Sequence, residues 1–146
     1  MIERTEASAP FPIDRTELTI GTRNDQYGHT NYKSYPGLFE AGQDAYMAAR
    51  GQSFDEIEST HDLRSVVPSY KIAIRDDSHQ GERVTVETSI SKVGKSSFTF
   101  GQSMLRGEIL IADYSMTVVL IDESGTPRPI PQSIREKLQA RPSAEE

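Results

Sequence analysis

The chain of 146 residues contains no cysteine, which excludes disulfides, thiolate metal sites and a cysteine nucleophile together. No apolar run approaches the roughly 20 residues that span a bilayer. The opening residues, MIERTEASAPF, are polar and acidic, where a secretory signal has a basic start and an apolar core. A cytoplasmic protein without a membrane segment is expected. Positive charge is in deficit: 16 Lys and Arg stand against 22 Asp and Glu, a formal net charge of -6. A nucleic-acid partner needs a basic surface to displace phosphate counterions, so none is expected. Phosphate-loop, dinucleotide and serine-hydrolase signatures are missing too, since GxxxxGKS/T, GxGxxG and GxSxG do not occur. His29, His61 and His79 lack a partner at a spacing such as HxxxH, and no metal site is expected.

What is present fits one domain over 1–146, because the chain is long enough for one core and short for two. Residues 1–12 carry prolines and small polar groups without a period and read as a loose arm; 141–146 read as an acidic tail. Leu18 and Ile20 alternate with polar residues, the period of a half-buried strand. The best helix runs from Ser34 to Gly51, with Tyr35, Leu38, Phe39, Gly42, Ala45, Tyr46 and Ala49 on one face and Glu40, Gln43, Asp44 and Arg50 on others. Asn31 or Ser34 can cap it, Pro36 fits its first turn, and Gly51 suits a left-handed C-terminal cap. Residues 52–64 are polar, have no sustained period and read as a loop with at most one short turn.

From Val66 to residue 121 the period is that of strands. The alternating sets are Val66, Tyr70, Ile72 and Ile74; Val84, Val86, Thr88 and Ile90; Phe98, Phe100, Gln102 and Met104; and Leu110 through Leu120. Pro68 marks an edge or a bend. DDSHQG at 76–81, Gly94-Lys95 and Arg106-Gly107-Glu108 read as hairpin turns. Ile130, Ile134 and Leu138 then fall at helical steps. The sum is an α+β domain, an antiparallel sheet packed on one long helix, with a short C-terminal helix.

The chemistry is concentrated in RNDQYGHTNYKSY, residues 23–35, between the first strand and the long helix. A strand-to-helix crossing can set the Asp25 carboxylate beside the unpaired N–H groups of a helix start, where the dipole stabilises developing negative charge. That arrangement suits acyl transfer. Taken alone, a loop aspartate most often closes an Asx turn.

Asp-x-Tyr-Gly-His-x-Asn resembles the active-site segment of hotdog-fold acyl-CoA thioesterases of the 4-hydroxybenzoyl-CoA thioesterase-like family. FEAG in the helix, KVGKSSFTF across a hairpin, VVLIDESG closing the long strand and PRPIPQSIREKL after it look like the same family. The resemblance covers residues 15 to 138. It implies a hotdog fold, a sheet wrapped around one helix, with a homodimer or dimer of dimers whose sheets run together and whose active sites form at the interface.

It also implies hydrolysis of an acyl-CoA or acyl carrier protein thioester, with CoA as part of the substrate and no cofactor. By motif position, Asp25 is nucleophile or general base and the Tyr32 backbone N–H is the oxyanion donor. Tyr27, His29, Asn31, Tyr35 and Phe39 are candidate substrate contacts; His29 could equally orient Asp25 or fasten the loop, and Asn31 could cap the helix. Lys92, Lys95 and Ser96 form a candidate CoA-phosphate turn, with Arg106 a weaker one; for any turn, exposed lysines also serve solubility. Glu40 matches a frequent helix acid of the family, while Gln43 stands where many members carry arginine. Some members place the carboxylate on the helix, so Glu40 and Asp44 are reserve candidates. Two other readings remain open: a hotdog enoyl-CoA hydratase or dehydratase pairing Asp25 with His29, and a non-catalytic acyl-CoA-binding subunit.

Overall fold

The computed structural model describes residues 11–21, 30 and 32–142. The strands are β1 (Asp14–Thr19), β2 (Arg64–Ile74), β3 (Arg83–Val93), β4 (Ser97–Arg106) and β5 (Ile109–Ile121), and the helices α1 (Tyr35–Ala48), α2 (Phe54–His61) and α3 (Gln132–Gln139). A 3-10 turn, Tyr32–Ser34, leads into α1. The strands form one antiparallel sheet in the order β1-β3-β4-β5-β2.

The inward faces are those the alternation predicts. Val84, Val86, Thr88 and Ile90 of β3, Phe98, Phe100, Gln102 and Met104 of β4, and Ala112, Tyr114, Met116, Val118 and Leu120 of β5 are buried. They meet α1, which packs on β1, β3 and β4. Gly42 is the closest point: a Cβ there would lie 2.6 Å from Thr88 Oγ1 and 2.8 Å from Val86 Cγ1. Helix and sheet can be this close only because position 42 has no side chain.

Two helix residues expected to face away are buried. Gln43 donates to Gln102 Oε1 at 2.9 Å, and Gln102 donates in turn to the Phe39 carbonyl and Thr88 Oγ1, both at 2.9 Å. The Arg50 guanidinium grips Asp14 with two hydrogen bonds of 2.7 and 3.1 Å, and it also donates to the Tyr46 and Ala140 carbonyls. Helical periodicity assigns polar residues outward, but a polar side chain whose partners lie inside can be buried at little cost.

The end of α1 follows expectation. Gly51 has φ +69°, Gly51 N–H donates to Ala48 O at 3.0 Å and Gln52 N–H to Met47 O at 3.1 Å, the bond pair of a Schellman cap. At its start Ser34 occupies the cap position but makes no side-chain cap bond; its backbone is already helical, continuing from the 3-10 turn. Asn31 lies outside the described residues.

Residues 52–64 are not the loop expected of them. Ser53 Oγ accepts Glu56 N–H at 3.1 Å while Ser53 N–H donates to Glu56 Oε1 at 2.8 Å, and this reciprocal capping box starts α2. DDSHQG is not a hairpin turn either. The β3–β4 and β4–β5 hairpins occupy both edges of β4 and one edge each of β3 and β5, which leaves β1 and β2 the outer edges. The segment 75–82 therefore crosses three strand spacings, about 14 Å, which eight residues reaching up to about 26 Å span easily.

β2 is an outer edge left unpaired among the described residues, and its register shifts between Val66 and Ser69, around Pro68. Its expected half-burial does not occur within this subunit: residues 64–71 and Ile74 are exposed, with only Ile72 and Ala73 partly covered. Most of the expected N-terminal arm lies outside the described residues. Phe11 and Pro12 are docked, Phe11 against the core and the Pro12 carbonyl accepting Ser89 Oγ at 2.8 Å. Ile130, Ile134 and Leu138 are buried as the helical steps predict.

Candidate active site

β1 runs out at Thr19, and the chain returns to the described residues at Thr30, just ahead of the 3-10 turn and α1. Both ends of this interval are fastened to the β2–β3 crossover. Ile20 exchanges two backbone hydrogen bonds with it, accepting Gly81 N–H and donating to Glu82 O, both at 2.9 Å; Thr30 N–H donates to Ser78 O at 2.7 Å. Asp25, Tyr27, His29 and Asn31 lie outside the described residues.

Tyr32 opens the 3-10 turn. The residue is 66% exposed, with Lys33 Nζ 5.9 Å from the ring centre. Because Tyr32 is the first residue of a helical segment, its amide has no partner inside that segment. Beside the helix start is a cavity of about 310 Å³ lined by Ile20, Gly21, Thr30, Lys33, Gly37 and Leu38 among others. It can admit a small acyl group.

Tyr35 and Phe39 both belong to the core. Tyr35 is 2% exposed and its phenol oxygen lies 2.7 Å from Ser78 Oγ. Phe39 is fully buried and stacks on Tyr114, with centroids 4.8 Å apart and planes 7° from parallel. Tyr114 in turn meets the exposed Tyr70 of β2 at 5.6 Å, so an aromatic row leads from the open edge to α1. Burial first, then Tyr70 and Glu40, pushes the Tyr114 phenol upward.

The reserve carboxylates Glu40 and Asp44 are on the exposed side of α1. Partial burial, then the neighbouring Glu40 and Asp55, raises the Asp44 carboxyl. His61 lies beside a small pocket between α2 and α3, and His79 is exposed, 3.8 Å from Glu82. Arg106, the weaker phosphate candidate, instead bonds the crossover, donating to the Asp77 carbonyl at 2.8 Å and to Glu82 and Asp76 at 3.3 Å. Among the described residues no group of three acidic or histidine side chains is placed to hold a metal, and no helix is long and apolar enough to cross a membrane.

Lys92, Lys95 and Ser96 sit at the β3–β4 turn. Its carbonyls are all engaged: Gly94 O accepts Arg135 Nη2 at 2.9 Å, Lys95 O accepts Ile130 N–H at 2.8 Å and Ser96 O accepts Leu120 N–H at 3.0 Å. The turn is thereby held rigid, while Lys92 and Lys95 are exposed. It does not share an end of the subunit with the helix start. Thr19 pairs with Arg83 at one end of β3 and the turn follows Val93 at the other, on the order of 30 Å away.

Ser78 and Thr30 are the site-proximal residues that sequence reasoning passed over. Ser78 reads as an ordinary turn serine in DDSHQG, and nothing local signals that it meets residues 30 and 35.

A single antiparallel sheet around one long helix is the hotdog arrangement, and a largely apolar cavity lies beside its helix start. Residues 20–138 match the model of the thioesterase-like superfamily, and the chain belongs to that superfamily. Among solved structures it is similar to a 1,4-dihydroxy-2-naphthoyl-CoA thioesterase from Synechocystis, with TM-score 0.80, 17% identity, and coverage of 87% of this chain and 96% of that one. It is also similar to a DHNA-CoA thioesterase from Staphylococcus aureus, with TM-score 0.77, 17% identity and 85% of each chain covered. A predicted thioesterase from Bacillus stearothermophilus has TM-score 0.76 and 26% identity, over 91% of this chain and 100% of that one. No curated protein matches the chain significantly.

Proposed function

We propose that this thioesterase hydrolyses an acyl-CoA thioester to free acid and CoA, with Asp25 as nucleophile or general base and the Tyr32 N–H as oxyanion donor. The observation that carries the reading is the match of residues 20–138 to the thioesterase-like superfamily, with Tyr32 opening the turn into α1 where a helix start offers its amide. As a base, Asp25 takes a proton from water as the oxygen attacks the carbonyl carbon. The oxyanion then collapses and the C–S bond breaks, releasing a thiolate that is already a good leaving group. A carboxylate and one helix start suffice for this chemistry.

The working unit is a homodimer joined along β2, and two such dimers can pair again. The exposed Val66, Val67, Tyr70 and Ile74 on an unpaired edge support it, because open apolar edges are rare in stable monomers. A two-fold axis through that edge reverses the partner. The β3–β4 turn of the partner, with the partner's Lys95, then lies at the same end as this subunit's helix start. That supports Lys92, Lys95 and Ser96 as contacts to the CoA phosphates of a substrate bound across the interface. Tyr27, His29 and Asn31 contact the thioester, while Tyr35 and Phe39, buried in the core, support the helix start from beneath.

The test is thiol release over a panel of acyl-CoAs that includes aromatic acyl groups, as the names of the Synechocystis and Staphylococcus structures suggest. Turnover of at least one member is expected. A panel that is bound but never cleaved contradicts the reading.

A further inference from the structure

Ser78 joins the β2–β3 crossover to the start of α1 through a buried chain of hydroxyls. Its Oγ is 2.7 Å from the Tyr35 phenol oxygen and donates to Thr30 Oγ1 at 2.8 Å, while its carbonyl takes the Thr30 N–H at 2.7 Å. Ser78, Tyr35 and Thr30 are 1%, 2% and 8% exposed. A serine hydroxyl has a single proton. With that proton on the bond to Thr30, the Tyr35 phenol must be the donor to Ser78, and the chain runs one way, from Tyr35 through Ser78 to Thr30.

Tyr32 lies between the two residues so held, two positions after Thr30 and three before Tyr35. One serine therefore grips the chain on both sides of the amide assigned to the oxyanion. The crossover that carries Ser78 is itself anchored, by Arg106 on Asp77, Glu82 and Asp76 and by Ile20 on Gly81 and Glu82.

We propose that Ser78 is a positioning residue for the hydrolysis: acting through Thr30 and Tyr35, it aims the Tyr32 N–H at the point where the oxyanion forms. The proposal rests on the thioesterase reading above. An oxyanion donor works only when preorganised toward the developing charge, and a misplacement of about 1 Å can cost on the order of a hundredfold in rate. Without the Ser78 hydroxyl, the Tyr35 phenol and the Thr30 hydroxyl lose their common partner, and only the Thr30 N–H bond to the Ser78 carbonyl still holds the turn between them. Ground-state binding of CoA does not depend on that turn.

The experiment is steady-state thiol release by the full-length protein carrying Ser78→Ala, Tyr35→Phe or both, well below each variant's Tm, on the acyl-CoA that wild type cleaves best. Ser53→Ala, which removes the distant cap of α2, serves as a control for lost stability alone. Each single variant should lower kcat about tenfold or more, with KM changed by less than about twofold, the signature of an interaction used in the transition state. The double variant should be no slower than the slower single, because both changes break one chain. Amide hydrogen exchange in residues 30–35 should accelerate in Ser78→Ala and stay unchanged in Ser53→Ala.

Unchanged kcat in Ser78→Ala and Tyr35→Phe, multiplying effects in the double variant, or unchanged exchange at 30–35 would each overturn the role. Should Ser78→Ala fail to fold, Tyr35→Phe, which removes one oxygen, decides alone. If Asp25→Asn is inactive while the Ser78 and Tyr35 variants keep full kcat, the positioning role falls and the thioesterase reading stands. If wild type cleaves no thioester, both fall.

Discussion

Arg50, just past the end of α1, holds both carboxylate oxygens of Asp14, the first residue of β1, at 2.7 and 3.1 Å. The Arg50 side chain is 1% exposed and that of Asp14 13%, and the guanidinium carbon lies 3.5 Å from the centre of the Tyr46 ring. With the Ala140 carbonyl also bound to Arg50, one side chain ties together the first strand, the long helix and the segment after α3. Removing one partner of a buried pair leaves a charge uncompensated, so Arg50→Ala should cost about 3–5 kcal/mol. Urea denaturation measures it, and a loss under 1 kcal/mol would show that the knot is incidental.

Burial pushes the Tyr46 phenol from its ordinary 10.0 up to about 12, partly opposed by Arg50. The same phenol donates to the Leu138 carbonyl at 2.8 Å. The folded pKa lies above the unfolded one, so this contribution to stability is complete below about pH 10 and is lost as pH rises toward 12. Tyr46→Phe should be less stable than wild type at pH 8, and the gap should narrow between pH 10 and 12. Denaturation curves across that range would show it, and a gap constant with pH would contradict it.

Lys92 and Lys95 project from a turn whose carbonyls are all bound. Reversing both charges should raise KM for acyl-CoA several-fold, as expected for exposed ion pairs of about 0.2–1 kcal/mol each, and leave kcat and folding intact. Raising salt should erode the difference between wild type and variant. An unchanged KM at low salt removes these lysines from the substrate path.

The open β2 edge predicts a dimer at micromolar concentration. Aspartate at Val66 and Val67 should shift the sedimentation coefficient toward the monomer, and activity should fall with the dimer fraction because the partner's turn is lost. A protein that is monomeric and fully active without substitution would contradict the interface.

The inward faces of β3, β4 and β5 were legible because alternation is a local property, and so was the Gly51 cap. Failures arose where a distant partner decides the outcome. Gln43 and Arg50 face inward because Gln102 and Asp14 wait there. DDSHQG has the composition of a hairpin turn, yet the edges left open by the β3–β4–β5 meander make it a crossover. The capping box of Ser53 and Glu56 was visible in the sequence, but only Phe54 and Ile57 followed it as apolar support, too few for a period. At the site, the motif pointed to Asp25 and Tyr32, whereas Ser78 could not be found without the fold, because residues 30, 35 and 78 share no pattern along the chain.

The central claim is that Asp25 performs the chemistry on a thioester. Thiol release from one acyl-CoA, compared between wild type and Asp25→Asn at matched folded concentration, tests it most directly. The account predicts a kcat loss of about a hundredfold or more, with the substitution leaving the Tm unchanged. An Asp25→Asn protein that retains full turnover would contradict it and return the search to Glu40 and Asp44.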